Sequence, residues 1–140
     1  MKYEQSFMKA VGEWGCYALC IIDIAREVTG LQYDILGKLV EGIDKGYIKF
    51  NWNNYNDPAN FDVDYPDRFL EMLTGRKWSV RKESDVMYKC QPGEYRVERW
   101  ERNGCGHFAR TREGYNSLQD SKCVTLGKLA SLRIFKEIKK

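Results

Sequence analysis

The sequence has no long apolar segment. No stretch of its 140 residues approaches the roughly 18 consecutive apolar residues that a membrane-spanning helix needs. The first five residues carry a lysine, but no apolar core follows it, and this is unlike a secretory signal. We therefore predict a cytoplasmic protein with no membrane partner.

An excess of charge of one sign is also missing. The chain carries 23 basic and 20 acidic side chains, for a net charge of +3, and lysines cluster only in its C-terminal tail. A domain that binds nucleic acid usually presents a strongly basic face or helix. The charge balance therefore predicts no nucleic-acid partner.

Histidine is nearly absent, and cysteine occurs in an odd number. His107 is the sole histidine, so any chemistry that joins a cysteine to an imidazole must use it. Five cysteines without an export signal are typical of free thiols in a reducing compartment, in agreement with a cytoplasmic location. The five are Cys16, Cys20, Cys90, Cys105 and Cys123.

The first half of the chain has the apolar spacing of helices. With 43% hydrophobic residues, the chain can build the core of one domain, which we place over 1–140. Apolar residues at helical spacing predict helices over 16–28, 33–43 and 66–73. A lead-in over 1–15 is expected to hold at most a helical turn, and Gly30 is expected to cap the first long helix in a left-handed conformation.

The second half of the chain has the alternation of strands. Short alternating segments bounded by turn signals predict strands over 77–81, 95–100, 106–111, 115–118 and 130–135. Helices followed by an antiparallel meander form an α+β pattern. The helical part is predicted to cover about 1–75 and the sheet part about 76–140.

Cys16 is placed where a thiol can be activated. It follows Gly15 at the predicted start of the first long helix, where free N–H groups and the helix dipole lower the pKa of a thiol. A buried structural cysteine is the alternative for such a residue. Cys20 lies one turn deeper among apolar neighbours, so its pKa is expected to be raised and its role structural.

His107 has two candidate partners further along the chain. A histidine at the start of a strand can face a cleft, although such a residue is often purely structural. A catalytic imidazole needs a group that orients its second nitrogen. The tight turn after the histidine strand would bring 115–118 alongside it, so Asn116 is the first candidate and Asp120 the next.

The order of these residues resembles the papain-like cysteine peptidases. The segments that carry the resemblance are the cysteine at a helix start and the C-terminal strings Gly106-His107-Phe108-Ala109, Gly114-Tyr115-Asn116-Ser117-Leu118, Gly127-Lys128-Leu129 and Ser131-Leu132-Arg133-Ile134-Phe135. They are similar to small bacterial and phage-associated members related to the peptidases that process bacteriocin leaders. The likeness covers an element near the start and about thirty residues at the end.

The resemblance implies a fold, a site and a reaction. The fold would pack N-terminal helices, with a central helix starting at Cys16, on a C-terminal antiparallel sheet. Cys16 would be the nucleophile, His107 the general base and acid, and Asn116 the residue that orients the imidazole. The family places a glutamine upstream of its cysteine to line the oxyanion hole, and Gln5 is the sole upstream glutamine. A peptide or protein substrate is implied, with no cofactor and no metal.

Two other functions stay open at this stage. A papain-like scaffold that has lost activity could serve as a binding or inhibitor module encoded by a phage or another mobile element. Zinc is the less favoured alternative, with Cys16, Cys20, Cys105 and His107 as possible ligands. Two cysteines four positions apart within an apolar helix are poorly arranged for a structural zinc site.

Overall fold

The computed structural model describes residues 2–110 and 127–139. The described residues form a mixed α+β fold of four helices and two antiparallel sheets. The helices are α1 (Lys2–Trp14), α2 (Cys16–Thr29), α3 (Ile35–Asp44) and α4 (Pro66–Thr74). The strands are β1 (Ile48–Lys49), β2 (Asp62–Val63), β3 (Trp78–Glu83), β4 (Glu94–Arg102), β5 (Cys105–Ala109) and β6 (Lys128–Glu137).

Helix α2 is the central helix of the core. It begins at Cys16, as predicted, and is capped after Thr29 by Gly30, whose φ of 70° is left-handed and whose N–H donates to the Arg26 carbonyl. Seven of its side chains are buried, including Leu19, Ile21 and Ile24. A helix that is apolar on most of its surface must be covered on several sides. This explains why α2 contacts α1, α3, α4 and β5.

Helix α1 corrects the predicted lead-in. A 13-residue helix replaces the single turn that the sequence indicated. Phe7, Ala10 and Val11 are buried at helical spacing and join the main core. Three buried positions on one stripe give the segment enough apolar contact to stay helical, because helices of this length depend on tertiary packing.

Gly15 joins α1 to α2 in a tight backbone approach. Its N–H donates to the Val11 carbonyl at 2.8 Å, and its carbonyl accepts from the Leu19 N–H at 2.9 Å. A Cβ at position 15 would lie 2.6 Å from the Val11 carbonyl oxygen, which is closer than real side chains come. Only glycine therefore fits this junction, and the junction sets where α2 and Cys16 begin.

A Gly15→Ala substitution is expected to destabilise the protein by about 1–3 kcal/mol, the usual effect of forcing extra atoms into a packed site. Urea denaturation measures the change. Gly37→Ala is the matched control, because Gly37 lies exposed in α3 and a Cβ there meets only the flexible Asp34 carboxylate. That control is expected to be neutral or to stabilise by up to about 1 kcal/mol. Equal stability of both variants would contradict the role of Gly15.

The larger sheet is antiparallel but is not a meander. Its order is β3-β6-β4-β5, so the C-terminal strand lies between β3 and β4. This corrects the predicted sequential order. Strand β6 is buried on both faces through Ser131, Leu132, Ile134 and Phe135. The strand with the most continuous apolar run gains most from the central position. The predicted strand over 115–118 lies outside the described residues.

The two faces of this sheet have different neighbours. One face carries Val97 and Phe135, which join the helices in the main hydrophobic core. Directly opposed residues of paired strands share a face, and Trp100 is opposed to His107. Trp100 packs in a second, smaller cluster with Ala109 and Leu129.

None of the described helices is long and apolar enough to cross a membrane.

Candidate functional site

The Cys16 thiol lies where the start of α2 meets strand β5. Its helix begins without a side-chain cap, because the N-cap residue is Gly15. The backbone N–H groups of Cys16 and Tyr17 at the helix start, and that of Phe108 in β5, act on the thiol in the direction that lowers its pKa. The junction of α1 and α2 therefore holds the thiol against the strand that carries His107.

Burial determines the resting state of this thiol. The three backbone N–H groups and the charge of Arg99 favour the thiolate, but desolvation is larger and raises the pKa of Cys16 above its ordinary value. This corrects the prediction of a lowered pKa, since the helix terminus acts in the expected direction but is outweighed. The pKa of Cys20 is raised further, mainly by burial, as the sequence predicted.

A cavity of about 260 Å³ opens beside the thiol. Cys16 and Tyr17 form the side made by α2, and Gly106 and Phe108, the two neighbours of His107, form the side made by β5. Trp14, at the end of α1, lines it as well. This volume suits a few residues of a peptide in an open cleft rather than a fully enclosed ligand.

His107 is almost completely buried, with 2% of its surface exposed. Desolvation, followed by repulsion from Arg99, lowers the pKa of the imidazole below its usual value. The Phe108 ring stacks on the Tyr17 ring of α2 at 4.3 Å between centroids. Since side chains alternate along a strand, His107 projects from the other face of β5, beside Trp100. The imidazole therefore lies on the face of β5 opposite the Cys16 thiol, and His107 is not among the residues that line the cavity.

Gln5 and the predicted orienting residues are placed differently. Gln5 is exposed in the first half of α1. At 1.5 Å per residue, it lies about 14 Å along the helix axis from Trp14, the residue of α1 that lines the cavity. Its amide therefore stands apart from the thiol. Asn116 and Asp120 lie outside the described residues.

Arg99 is a feature of the site that the sequence analysis missed. It lies on β4 directly opposite Phe108, and its guanidinium carbon sits 4.8 Å from the centre of that ring. The side chain lines the Cys16 cavity and its charge acts on both Cys16 and His107. The sequence offered one signal. Arg99 is charged, although alternation along the strand from Val97 predicts an apolar side chain at position 99.

The described residues hold no group of three His, Cys, Asp or Glu side chains that could bind a metal ion. A larger cavity of about 460 Å³ exists between the end of α3 and the start of α4, but its lining contains neither cysteine nor histidine. The chemistry of the described residues is therefore concentrated at Cys16.

Comparisons with protein-family models, with curated proteins and with solved structures found no match to this chain.

Proposed function

We propose that this protein is a papain-like cysteine hydrolase that cleaves an amide bond in a peptide or protein substrate. The observation that carries the proposal is the placement of the Cys16 thiol. It lies at an uncapped helix start, on an accessible cavity, against the strand segment that bears the sole histidine. Covalent acyl transfer requires the nucleophile and the base within hydrogen-bonding reach. In this proposal the His107 side chain of β5, the strand at the edge of the described sheet, therefore turns toward α2 when substrate binds.

The proposed reaction proceeds through an acyl-enzyme. Once the His107 side chain has turned toward α2, Cys16 Sγ attacks the scissile carbonyl carbon, a C–S bond forms, and the thiol proton passes to the neutral imidazole. His107 then returns this proton to the leaving amine as the C–N bond breaks, which leaves a thioester. Water, deprotonated by His107, cleaves the thioester to a carboxylic acid and restores the thiol. Backbone N–H groups at the start of α2 would stabilise the oxyanion in place of Gln5.

The pKa directions favour general-base activation over a preformed ion pair. Cys16 is held as a thiol by burial, and His107 is held neutral by burial and Arg99. A neutral imidazole can accept the thiol proton as the new bond forms. In this proposal Asn116 orients the imidazole, and Asp120 is the alternative.

Alkylation of Cys16 by iodoacetamide tests this role for His107. We expect His107→Ala to slow alkylation of Cys16 at pH 7 by about tenfold or more, because the base that accepts the proton is lost. Peptide mass spectrometry assigns the label to Cys16. His107→Gln is the matched control, since it keeps a polar side chain of similar size without the base. An unchanged rate in a folded His107→Ala protein would rule out the proposed pair.

A binding or inhibitor module is the second candidate function. The raised pKa of Cys16 and the distance of Gln5 from the cavity favour it, because both weaken catalysis while leaving the cavity available. In that case the protein would bind a peptide or protein without cleaving it. Alkylation of Cys16 at the rate of a small thiol, with no effect of His107→Ala, would support this function over hydrolysis.

A further inference from the structure

Arg99 gives the Cys16 cavity a positive charge that is only weakly balanced. Its closest described carboxylate oxygen is that of Glu101, 3.6 Å from Nε, on a side chain that is half exposed. Arg110, in contrast, contacts two carboxylates at 2.9 and 3.0 Å. A loosely paired, partly buried guanidinium at a cavity wall is well suited to bind an anion bidentately.

Gly106 leaves the space that Arg99 occupies. A Cβ at position 106 would overlap the Arg99 guanidinium, so the absence of a side chain there lets the arginine lie across β5 into the cavity. The Phe108 ring supports the guanidinium from one side through a cation–π contact. Two neighbouring positions of β5 thus hold Arg99 at the cavity wall.

The Trp14 side chain also lines this cavity. Its indole Nε1 is buried and has no hydrogen-bond acceptor among the residues that the structure describes. A buried N–H without an acceptor is costly and favours a ligand that supplies an oxygen. The acidic residue in the lining is Asp62, which is exposed to solvent, so water screens its charge more than that of Arg99.

We propose that the Cys16 cavity recognises a carboxylate close to the acyl group that Cys16 would attack, with Arg99 as its charge partner and Trp14 as a second donor. The substrate class is then a peptide with an acidic side chain or a free C-terminal carboxylate beside the scissile bond. This inference extends the proposed hydrolase, but the anion site can be tested without it.

The test compares two reagents that differ in charge. Iodoacetate carries a carboxylate and iodoacetamide does not, and both alkylate the thiolate. The measured quantity is the rate of Cys16 alkylation by iodoacetate divided by the rate by iodoacetamide. Any change in the thiol pKa cancels in this ratio. We expect this ratio to exceed that of N-acetylcysteine amide by about tenfold, the effect of a nearby positive charge. Raising the salt to 1 M should reduce the excess several-fold through screening.

Variants identify which side chains raise the ratio of alkylation rates. Arg99→Gln should bring the ratio to that of the small thiol, and Arg99→Lys should keep most of it. Gly106→Ala should also lower it, because the arginine is displaced although its charge remains. Arg133→Gln is the matched control, since Arg133 also lies over the Phe108 ring, 5.4 Å from its centre. Trp14→Phe should lower the ratio about twofold through the loss of one hydrogen bond.

The outcomes separate this inference from the proposed hydrolase. A ratio equal to that of the small thiol, insensitive to salt and to Arg99→Gln, overturns the carboxylate site whatever the iodoacetamide rate shows. A raised ratio with no effect of His107→Ala retains the anion site on a binding module. Protection of Cys16 by N-acetylalanine would identify a terminal carboxylate as the ligand, and protection by N-acetylaspartate amide would identify an acidic side chain.

Discussion

Phe135→Ala is expected to lower the free energy of unfolding by about 3–5 kcal/mol. Phe135 is fully buried on β6, the strand that pairs with both β3 and β4, and its ring contacts the Tyr17 ring at 6.2 Å. Removing the ring leaves a cavity where the sheet meets α2. For a domain with a typical stability of about 5–15 kcal/mol, this is a large part of the total.

Denaturant unfolding of Phe135→Ala, monitored by the circular dichroism of the helices, measures this loss. Phe135→Leu is the conservative control and should lose less than about 1.5 kcal/mol, because most of the volume is kept. Lys136→Ala tests the neighbouring exposed position and should change stability by no more than about 0.5 kcal/mol. A loss below about 1 kcal/mol for Phe135→Ala would show that β6 is not the centre of the core.

The same contact links stability to the candidate site. Tyr17 follows Cys16, and its ring lies between Phe108 of β5 and Phe135 of β6. The start of α2 is therefore positioned by the sheet as well as by Gly15. We infer that the thiol geometry depends on the helix–sheet packing and not only on residues of the cavity.

The parts of the fold that local sequence determines could be predicted. The bounds of α2 follow from Gly15 and Gly30, whose backbone requirements are set within one turn of the chain. The strands that contain His107 and Phe135 follow from alternation and from the Asn103-Gly104 turn. These signals involve neighbouring residues, so a single sequence is enough to read them.

The features that depend on residues distant in the sequence could not be predicted from it. The position of β6 between β3 and β4 is a choice among strand pairings that alternation does not distinguish. The raised pKa of Cys16 depends on how much of the thiol is buried by β5, and the local helix terminus gives the opposite sign. Arg99 joins the site only because its strand pairs with that of Phe108.

The two cysteines of α2 are expected to differ greatly in their rates of alkylation. Cys16 is half-buried on the cavity, whereas Cys20 is fully buried in the core. Alkylation of Cys20 requires the helix to open, and opening a core element approaches the free energy of global unfolding. We expect iodoacetamide to label Cys16 at least about 1,000-fold faster than Cys20 in the native protein, with the difference lost in urea.

The pH dependence of this labelling shows in which direction the pKa of Cys16 is shifted. Burial raises the pKa of Cys16, so at pH 7 the group is mainly a thiol and the reactive thiolate increases as the pH rises. We expect the labelling rate at pH 10 to exceed that at pH 7 by about tenfold or more, since the ordinary cysteine pKa is already about 8.5. Cys20→Ala, which keeps Cys16, is the control and should give the same profile. A rate that reaches its maximum by pH 7 would indicate a thiolate stabilised at neutral pH, and would show that the helix start and Arg99 together outweigh burial.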